Sequence, residues 1–378
     1  MNKLDELIQQ LCPDGVEYRS LERCCNILDK KRKPVTKTAR VTGEYPYYGA
    51  NGIQDYVADY IFDGTYVLVG EDGSVVTPSG NPVVNWAAGK IWVNNHAHII
   101  EEGEGVLLRY LFHFLQTVNI APLIHGNIPK LTGGDFKAIP IPVPPMEVQR
   151  EIVQILDQFT ELTAELTAEL TAELTARKKQ YEYYRDELFR TAKDGEVYYL
   201  NEISENCDNQ RKPVTSGNRI AGEYPYYGAS GIVDYVDDYI FDGDYLLISE
   251  DGAKLLARST PIAFSISGKN WVNNHAHVLC FDTYETRRYV EIYLNSIDLS
   301  PYITGGAQPK LNQKNLNKIP IPLPSPDEQR RIVSILDRFD ALCNDLTSGL
   351  PAEIEARRKQ YEYYRDKLLT FPERTEQR

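Results

Sequence analysis

The sequence lacks the signals of several large protein classes. Among its 378 residues, no apolar run approaches the roughly 18 residues that a membrane span requires. The amino-terminal stretch MNKLDELIQQLCPDG mixes acids into an amphipathic pattern and has no apolar core like that of a signal peptide. The six cysteines include no CxxC pair, which argues against a zinc ribbon or a disulfide framework. These absences predict a cytoplasmic protein with reduced thiols.

Recognisable catalytic motifs are absent as well. The patterns GxxxxGK[ST], GxGxxG, HExxH and GxSxG do not occur, and neither does the NPP[YF] motif with which amino-methyltransferases hold an extruded base. The 54 acidic residues form no pattern typical of a nuclease. We therefore expect a protein that recognises a target and has no catalytic centre of its own.

Positive charge is also in short supply, since 41 basic residues stand against 54 acidic ones and the net charge is -13. Proteins that coat nucleic acid without sequence preference neutralise phosphates with an excess of basic residues. The balance here argues against such a protein. Any nucleic-acid site must be a local basic surface on an acidic body.

The sequence does contain a long internal repeat. GEYPYYGANGIQDYVADYIFDGTYVLVGEDG at 43–73 matches GEYPYYGASGIVDYVDDYIFDGDYLLISEDG at 222–252, with 24 of 31 positions identical. The same offset of 179 relates the two copies of WVNNHAH, and an offset of 180 relates IPIPVPP to IPIPLPS and RKKQYEYYRDEL to RRKQYEYYRDKL. The chain is thus a tandem duplication. Its period is too long for a solenoid, so each copy is a domain followed by a connecting segment.

Each copy begins with about 140 residues whose alternating Tyr, Val and Ile between Gly, Asp, Asn and Pro turns are typical of β-structure. Within WVNNHAHII, read as a strand, Trp92, Asn94, His96 and His98 are expected on one face. Proline-rich segments then end each domain, and helices follow. Ser325 and Pro326 predict the start of the second helix, as cap and first helical residue.

The connecting segments carry apolar stripes at helical spacing, and we assign these side chains to spacer helices and partner docking. In the first copy they are Ile152, Ile155, Leu156, Phe159, Leu162, Leu166, Leu170, Leu174, Tyr181 and Tyr184, and in the second Ile332, Ile335, Leu336, Phe339, Tyr361 and Tyr364. The central helix contains TAEL three times in register, at 163–174, which favours about 20 continuous helical residues. Its leucines recur every fourth residue, so the stripe drifts by about 40° per repeat and a long left-handed coiled coil is disfavoured. Gly349 and Pro351 interrupt the corresponding part of the second copy.

Two sets of repeated polar residues have alternative interpretations. The pairs His96 and His98, and His275 and His277, have the type but not the ligand spacing of a metal site, so we favour hydrogen-bonded residues that order the domain. Asn94 and Asn273 have side chains that suit adenine edges, although a structural role is the simpler interpretation. We expect no metal site in this chain.

Basic residues cluster at places where a DNA-binding face would need them, although a charge run is often only a solvated loop. The candidates are Lys30, Lys31, Arg32, Lys33, Lys90, Lys130 and Lys137 in the first copy and Arg211, Lys212, Lys269, Lys310 and Lys314 in the second. Several of them neighbour glycine-rich segments, where free backbone amides also bind phosphate.

The copies differ most in one compact window. SVVTPSGNPVVNWAA at 74–88 aligns with AKLLARSTPIAFSIS at 253–267, and the two share one proline, although the flanking sequence is conserved between the copies. We predict base readout here, with Val75 against Lys254 and Ser79 against Arg258 as the differences most able to alter a base contact. The alternative is a tolerant surface loop.

Over its full length the chain resembles the specificity subunits of type I restriction-modification enzymes. The residues that carry the resemblance are IPIPVPPMEVQREIVQILDQF and IPIPLPSPDEQRRIVSILDRF, the RKQYEYYRD helices and the TAEL run, which is similar to the IC class of that family. The resemblance implies an α+β fold with two tandem β-rich target-recognition domains separated by two long antiparallel spacer helices in a pseudo-twofold arrangement. The implied division is 1–146 and 194–326 for the recognition domains and 147–193 and 327–378 for the central and distal spacer helices.

What the resemblance implies for function is the reading of a split, gapped double-stranded DNA target, with one half-site for each domain. The partners would be two modification (methyltransferase) subunits and two restriction (motor-nuclease) subunits, which would hold S-adenosylmethionine, ATP and Mg²⁺, whereas this chain would bind no cofactor. Recognition domains within one such subunit are usually dissimilar, so the close copies here predict related half-sites.

Two other classes of function stay open. A stand-alone DNA-modifying enzyme would modify or cut DNA without partners, and a protein scaffold that never reads DNA would fail to retard it selectively. Neither alternative explains why two domains share a frame and differ in one window.

Overall fold

The computed structural model describes residues 3–73, 75–192, 196–252, 254–257, 260–305, 308–345 and 348–374. The chain divides into two compact units. The first contains Met1–Glu169 and Ile354–Arg378, and the second contains Leu170–Glu353. Each unit therefore combines one copy of the β-rich domain with helical segments that come from both copies. Helices and sheets are both prominent, which confirms the α+β class.

The first copy supplies the following elements in chain order: α1 (Lys3–Leu11), β1 (Glu17–Ser20), β2 (Cys25–Ile27), β3 (Thr42–Gly49), β4 (Gly52–Val57), β5 (Phe62–Gly70), β6 (Val84–Val93), β7 (Ala97–Glu102), α2 (Leu108–Leu115), β8 (Ile124–His125), β9 (Lys130–Leu131), α3 (Gly133–Ala138), β10 (Pro140–Val143) and α4 (Met146–Thr191). The second copy supplies β11 (Glu196–Tyr198), α5 (Leu200–Ile203), β12 (Glu205–Asn206), β13 (Ala221–Gly228), β14 (Gly231–Val236), β15 (Phe241–Asp242), β16 (Tyr245–Ser249), α6 (Lys254–Ala257), β17 (Ala263–Ile266), β18 (Lys269–Val272), β19 (Ala276–Cys280), α7 (Tyr284–Ser296), α8 (Gln313–Leu316), β20 (Ile321–Leu323), α9 (Pro326–Asn344) and α10 (Leu350–Leu369).

The main sheet of the first unit has six strands in the order β2-β7-β5-β6-β3-β4. All neighbours are antiparallel except β3 and β6, which pair in parallel. In the second unit the equivalent strands form two four-stranded sheets, β12-β19-β16-β17 and β14-β13-β18-β15. The β3–β4 hairpin and its counterpart β13–β14 lie at a sheet edge in both units.

The segment WVNNHAH is not one strand, and the expectation that its alternate residues share a face is wrong. Strand β6 ends at Val93, a turn occupies 94–96, and β7 begins at Ala97 on the far side of β5. Asn94 causes the break, because its side-chain oxygen accepts a hydrogen bond from the amide of His96 at 2.8 Å. Such a local side-chain bond offers the backbone an alternative to the strand ladder.

The central helix α4 is continuous over 46 residues and contains all three TAEL repeats, as their helical composition predicted. The start of α9 is also confirmed, since Ser325 accepts from the amide of Glu328 and Pro326 is the first helical residue. The distal spacer is divided into α9 and α10, in line with the interruption that Gly349 and Pro351 indicated. It stops at Asn344 and restarts at Leu350, because glycine disfavours helix and Pro351 fits only a first turn.

Within each unit, helical segments from the two copies pack side by side. In the first unit, Ile152 and Leu156 of α4 join Leu369 of α10 in the core of the domain. In the second unit, Tyr184 of α4 stacks on Phe339 of α9 at 5.7 Å. Phe189, farther along α4, joins Ile332, farther back along α9, so the two helices run antiparallel there.

The carboxyl-terminal segment completes the first unit. The amide of Val16 donates to the carbonyl of Pro372 at 2.9 Å, and the hydroxyl of Tyr18 donates to the carbonyl of Phe371 at 2.8 Å. Gly15 has a φ of +89°, and a Cβ there would overlap the Pro372 carbonyl. The first domain therefore depends on residues more than 350 positions away.

Candidate nucleic-acid interface

Residues 29–40 of the first unit and 208–219 of the second form an extended segment that we call the strap. Its backbone is fixed to the end of β6, where the indole nitrogen of Trp92 donates to the carbonyl of Lys33 at 2.7 Å. The amide of Val35 donates to the hydroxyl of Tyr47 at 3.0 Å. The second unit repeats both bonds: the indole nitrogen of Trp271 donates to the carbonyl of Lys212, and the amide of Val214 donates to the hydroxyl of Tyr226. The strap is thus an ordered surface feature in both units.

The two straps carry different charges. In the first, Lys30, Lys31 and Lys33 are exposed, and none has a carboxylate within ion-pair distance among the described residues. In the second strap, exposed Asn209 and Gln210 stand at the positions equivalent to Lys30 and Lys31. It keeps one free lysine, Lys212, which is equivalent to Lys33. The free ammonium groups of the first strap suit phosphate contacts.

The strap arginines occupy a different position from the lysines. Arg32 is 12% exposed, and its guanidinium donates to Glu71 and to the carbonyl of Ala97, both at 2.6 Å. In the second unit Arg211 donates to Glu250 at 2.8 Å and to the carbonyl of Ala276 at 2.7 Å. The placement of Arg32 and Arg211 in a DNA-contact set is thereby corrected, because internal acceptors occupy these groups and hold the strap to the sheet.

His98 lies beneath this ion pair and is 1% exposed. Its Nδ1 is 2.7 Å from a carboxylate oxygen of Asp29, and its Nε2 is 3.1 Å from the carbonyl of Leu131. Burial opposes ionisation of Asp29, but the hydrogen bond and charge of His98, with the charge of Arg32, hold the pKa of Asp29 below its ordinary value. Both ring nitrogens of His98 thus lie within hydrogen-bond distance of an oxygen that belongs to another segment of the unit.

His277 repeats this arrangement with Asp208 at 2.6 Å and the carbonyl of Leu311 at 2.7 Å. The ligand atoms of Asp29, Glu71 and His98 lie within 4.8 Å of one another. Both ring nitrogens of His98 already face oxygen atoms and the guanidinium of Arg32 already binds Glu71, so these groups form an ion-pair network rather than an open metal site. The histidines order the domain, in line with the interpretation that the sequence favoured.

The same network reaches the glycine-rich segments. Lys130 lies 3.1 Å from the second oxygen of Glu71, and Lys310 lies 3.0 Å from Glu250. Lys137 on α3 and Lys314 on α8 are exposed in these segments. The strap, the 94–96 turn and the glycine-rich segment thus meet around one buried ion-pair cluster in each unit.

The asparagines of the turn are buried rather than displayed. Asn94 is 2% exposed, and its Nδ2 donates to Oε1 of Gln54 at 3.3 Å. Asn273 is 7% exposed, and its oxygen accepts from the amide of His275 at 2.8 Å. The side-chain oxygen of each asparagine therefore has a structural role, because it accepts from the amide of His96 or of His275.

The divergent window contains both buried and exposed residues. Val75 is fully buried, so a base contact by its side chain is corrected. Ser79 is exposed, but it lines a groove against Arg358 and Arg365 of α10 within the first unit. The equivalent groove of the second unit places Thr260 near Lys178 of α4. The equivalents of Val75 and Ser79 in the second copy cannot be compared, because Arg258 and the side chain of Lys254 lie outside the described residues.

Lys90 and Lys269 sit apart from the strap, above tyrosine rings. Lys90 Nζ is 4.7 Å from the ring centre of Tyr60, and Lys269 Nζ is 4.5 Å from that of Tyr239. The charge of Tyr60 contributes most to a raised pKa of Lys90. These lysines stay cationic and exposed.

The spacer residues divide into buried and exposed groups. Fully buried members are Ile152, Leu156, Ile332 and Leu336. The TAEL leucines Leu166, Leu170 and Leu174 are half-buried, and Leu162, just before the run, is 61% exposed. Other members pack between helices, including Phe159 against Tyr364 at 6.2 Å and Thr160 against the hydroxyl of Tyr361 at 3.0 Å. Ile155 and Ile335 are half-buried, and Tyr181 contacts the core beside α9.

Sequence reasoning missed Tyr183 and Tyr363, which are 63% and 62% exposed at equivalent positions of the repeated QYEYYRD motif. Periodicity favoured their neighbours because it finds buried stripes, whereas these two exposed side chains lie outside the stripe.

Comparison with known proteins is consistent with this architecture. Residues 13–176 and 192–356 each match the family model for the type I restriction modification DNA specificity domain. A putative type I restriction enzyme specificity subunit of Haemophilus influenzae is 39% identical over 94% of this chain and 96% of its own length. The EcoR124I/EcoR124II specificity subunit of Escherichia coli is 36% identical over 70% of this chain and 71% of its own length.

Two solved structures share the fold. A type I restriction-modification S subunit from Mycoplasma genitalium covers 95% of this chain and 97% of its own at a TM-score of 0.51 and 18% identity. A chain from a study of assembly and conformational transition of the type I system covers 94% and 98% at a TM-score of 0.60 and 17% identity. The chain belongs to the family of type I restriction-modification specificity subunits. Its relatives are named as specificity subunits, the non-catalytic component.

No helix within the described ranges is long and apolar enough to cross a membrane.

Proposed function

We propose that this subunit reads a split, gapped DNA target, with one half-site contacted by each unit. The observation that carries the proposal is the strap, which recurs in both units on the same internal ion pairs and turns its lysines to solvent. A strap fixed by Arg32 or Arg211 loses little conformational freedom when it binds, so its contacts are preorganised. The acidic body confines favourable contact with phosphate to such local surfaces.

The methyltransferase and motor-nuclease subunits are proposed to dock on the helical segments. Exposed Tyr183 and Tyr363, together with half-exposed Tyr184 and Tyr364, give aromatic anchors of the kind that are enriched at interfaces. Two modification subunits and two restriction subunits would complete the complex. S-adenosylmethionine, ATP and Mg²⁺ would be held by those partners.

The test is to co-express the chain with its modification subunits and map methylated adenines across the host genome. We expect a two-part motif whose halves are separated by an unread gap, and its disappearance when this chain is omitted. An identical methylation pattern with and without the chain would refute the proposal and favour a scaffold. Methylation or cleavage by the purified chain alone would instead establish an enzyme.

A further inference from the structure

The β3–β4 hairpin and the β13–β14 hairpin are nearly identical in sequence. Between 43–57 and 222–236 only two positions differ, Asn51 against Ser230 in the turn and Gln54 against Val233 in the second strand. Both differences are exposed or at the edge of the sheet, because β4 and β14 are edge strands. An exposed change within an otherwise conserved hairpin is a candidate for altered recognition.

Gln54 and Val233 each occupy a β-bulge. The pairing runs from Tyr47 opposite Asp55 to Tyr48 opposite Ile53, so residue 54 has no partner across the hairpin. The second hairpin repeats the irregularity around Val233. A bulge turns the side chain of the extra residue away from the ladder and is common beside functional sites.

In the first unit the bulge directs Gln54 across Gly49 and onto the 94–96 turn. A Cβ on Gly49 would overlap the amide group of Gln54. Oε1 of Gln54 accepts from Nδ2 of Asn94 at 3.3 Å. This bond fixes the orientation of the amide and leaves the two Nε2 donors and a second lone pair on Oε1 for a ligand.

In the second unit the same place has different chemistry. Val233 cannot accept a hydrogen bond, and among the residues that the structure describes Nδ2 of Asn273 has no hydrogen-bond partner, although Asn273 is 7% exposed. A Cβ on Gly228 would lie 3.1 Å from a methyl group of Val233 and 3.4 Å from this nitrogen. The pair therefore presents a methyl surface beside an amide donor that has no acceptor among the described residues.

The bulge lies beside the strap. The amide of Lys33 donates to the carbonyl of Val93 at 3.2 Å, one residue before Asn94. The amide of Ala58, which follows β4, donates at 2.9 Å to the carbonyl of Val41, the residue directly after the strap. A two-stranded ribbon is narrow enough to enter the major groove of DNA, and the strap lysines beside it suit the phosphates that border the groove.

We propose that residue 54 with Asn94, and residue 233 with Asn273, each read one base pair of a half-site, and that the two half-sites differ at this base pair. The amide of Gln54 matches the donor and acceptor that adenine presents in the major groove, whereas the methyl groups of Val233 suit the methyl group of thymine. This inference rests on the proposed function and names the residues that set its specificity.

The test exchanges the two residues. Gln54→Val and Val233→Gln are each expected to change the preferred base at one position of one half-site and to leave the other half-site as it was. A bidentate contact contributes about a 5- to 150-fold preference for the right base, so methylation of the original sites should fall by that factor. Each exchange installs a residue that the same hairpin already accommodates in the other unit.

Asn51→Ser is the matched control, because it is the other exchange between the two hairpins and lies in the turn, outside the proposed pair. We expect no change in the methylation motif. An unchanged motif in both variants of residues 54 and 233, loss of all methylation by both, or a changed half-site in Asn51→Ser would overturn the inference while leaving the proposed function standing if the wild-type chain directs a two-part motif. Absence of such a motif with the wild-type chain would refute both.

Discussion

Exchange of strap residues between the units tests the DNA-facing role of the first strap most directly. The double variant Lys30→Asn/Lys31→Gln gives the first strap the residues that stand at these positions in the second, Asn209 and Gln210. All four side chains are exposed on the same kind of turn, so the exchange alters charge and leaves the fold in place.

The expected magnitude follows from the number of charges removed. Each lysine that neutralises a phosphate contributes about 0.9 to the slope of log affinity against log salt, so the double variant should lower the slope by about 1.8. Between about 0.05 and 0.2 M salt, the affinity of the variant should therefore fall roughly tenfold less than that of the wild type. At the lowest salt the variant should bind more weakly, whereas base preference should be unchanged.

The assay is titration of a duplex that carries the methylated motif with the chain and its modification subunits, at four or more salt concentrations. The reciprocal variant Asn209→Lys/Gln210→Lys should raise the slope by a similar amount. Equal slopes for the wild type and both variants would show that the strap does not contact phosphate. The reasoning would then fail even if the complex still recognised its target.

Three further outcomes are expected. Deletion of one TAEL repeat, residues 171–174, shortens α4 by about 6 Å and removes about 40° of helical rotation, which is close to the rotation of one base pair. The gap in the methylation motif should therefore shorten by one base pair. An unchanged gap would contradict a spacing role. Arg32→Ala leaves Glu71 buried without the guanidinium of Arg32, so the free energy of unfolding of the first unit should fall by about 3–5 kcal/mol. The measurement is hydrogen exchange, which should become faster in that unit alone. Exchange rates equal to those of the wild type would argue against the internal role of Arg32. His113 is buried, which outweighs its bond to Asp157 and lowers its pKa, so its contribution to stability is present above about pH 6.5 and is lost as the pH falls. His113→Ile, which copies Ile292 of the second unit, should therefore reduce the loss of melting temperature between pH 7.5 and pH 5.5, and an equal loss in both proteins would refute this assignment.

Much of the architecture could be predicted because it depends on local pattern. The duplication is visible in identical residues, and the continuity of α4 follows from the helix-forming residues of the TAEL run. The start of α9 follows from Ser325 and Pro326, whose effects act within one turn.

The candidate site was harder to predict because burial and pairing depend on residues distant in the chain. Arg32 looks like its lysine neighbours in sequence, but Glu71 lies close enough in the fold to bind it. Val75 belongs to the most divergent window and is nonetheless fully buried. Alternation along WVNNHAHII predicted one strand, but the side chain of Asn94 forms a turn there.

The sequence by itself determined that two similar domains are joined by helices, since repetition, helix propensity and capping are properties of neighbouring residues. Only the tertiary structure decided which charges remain available to a ligand. Arg32 pairs with Glu71 and Arg211 with Glu250, and the bulges at Gln54 and Val233 depend on strand register. An ion pair or a register is a relation between distant segments, so its effect appears only when the chain has folded.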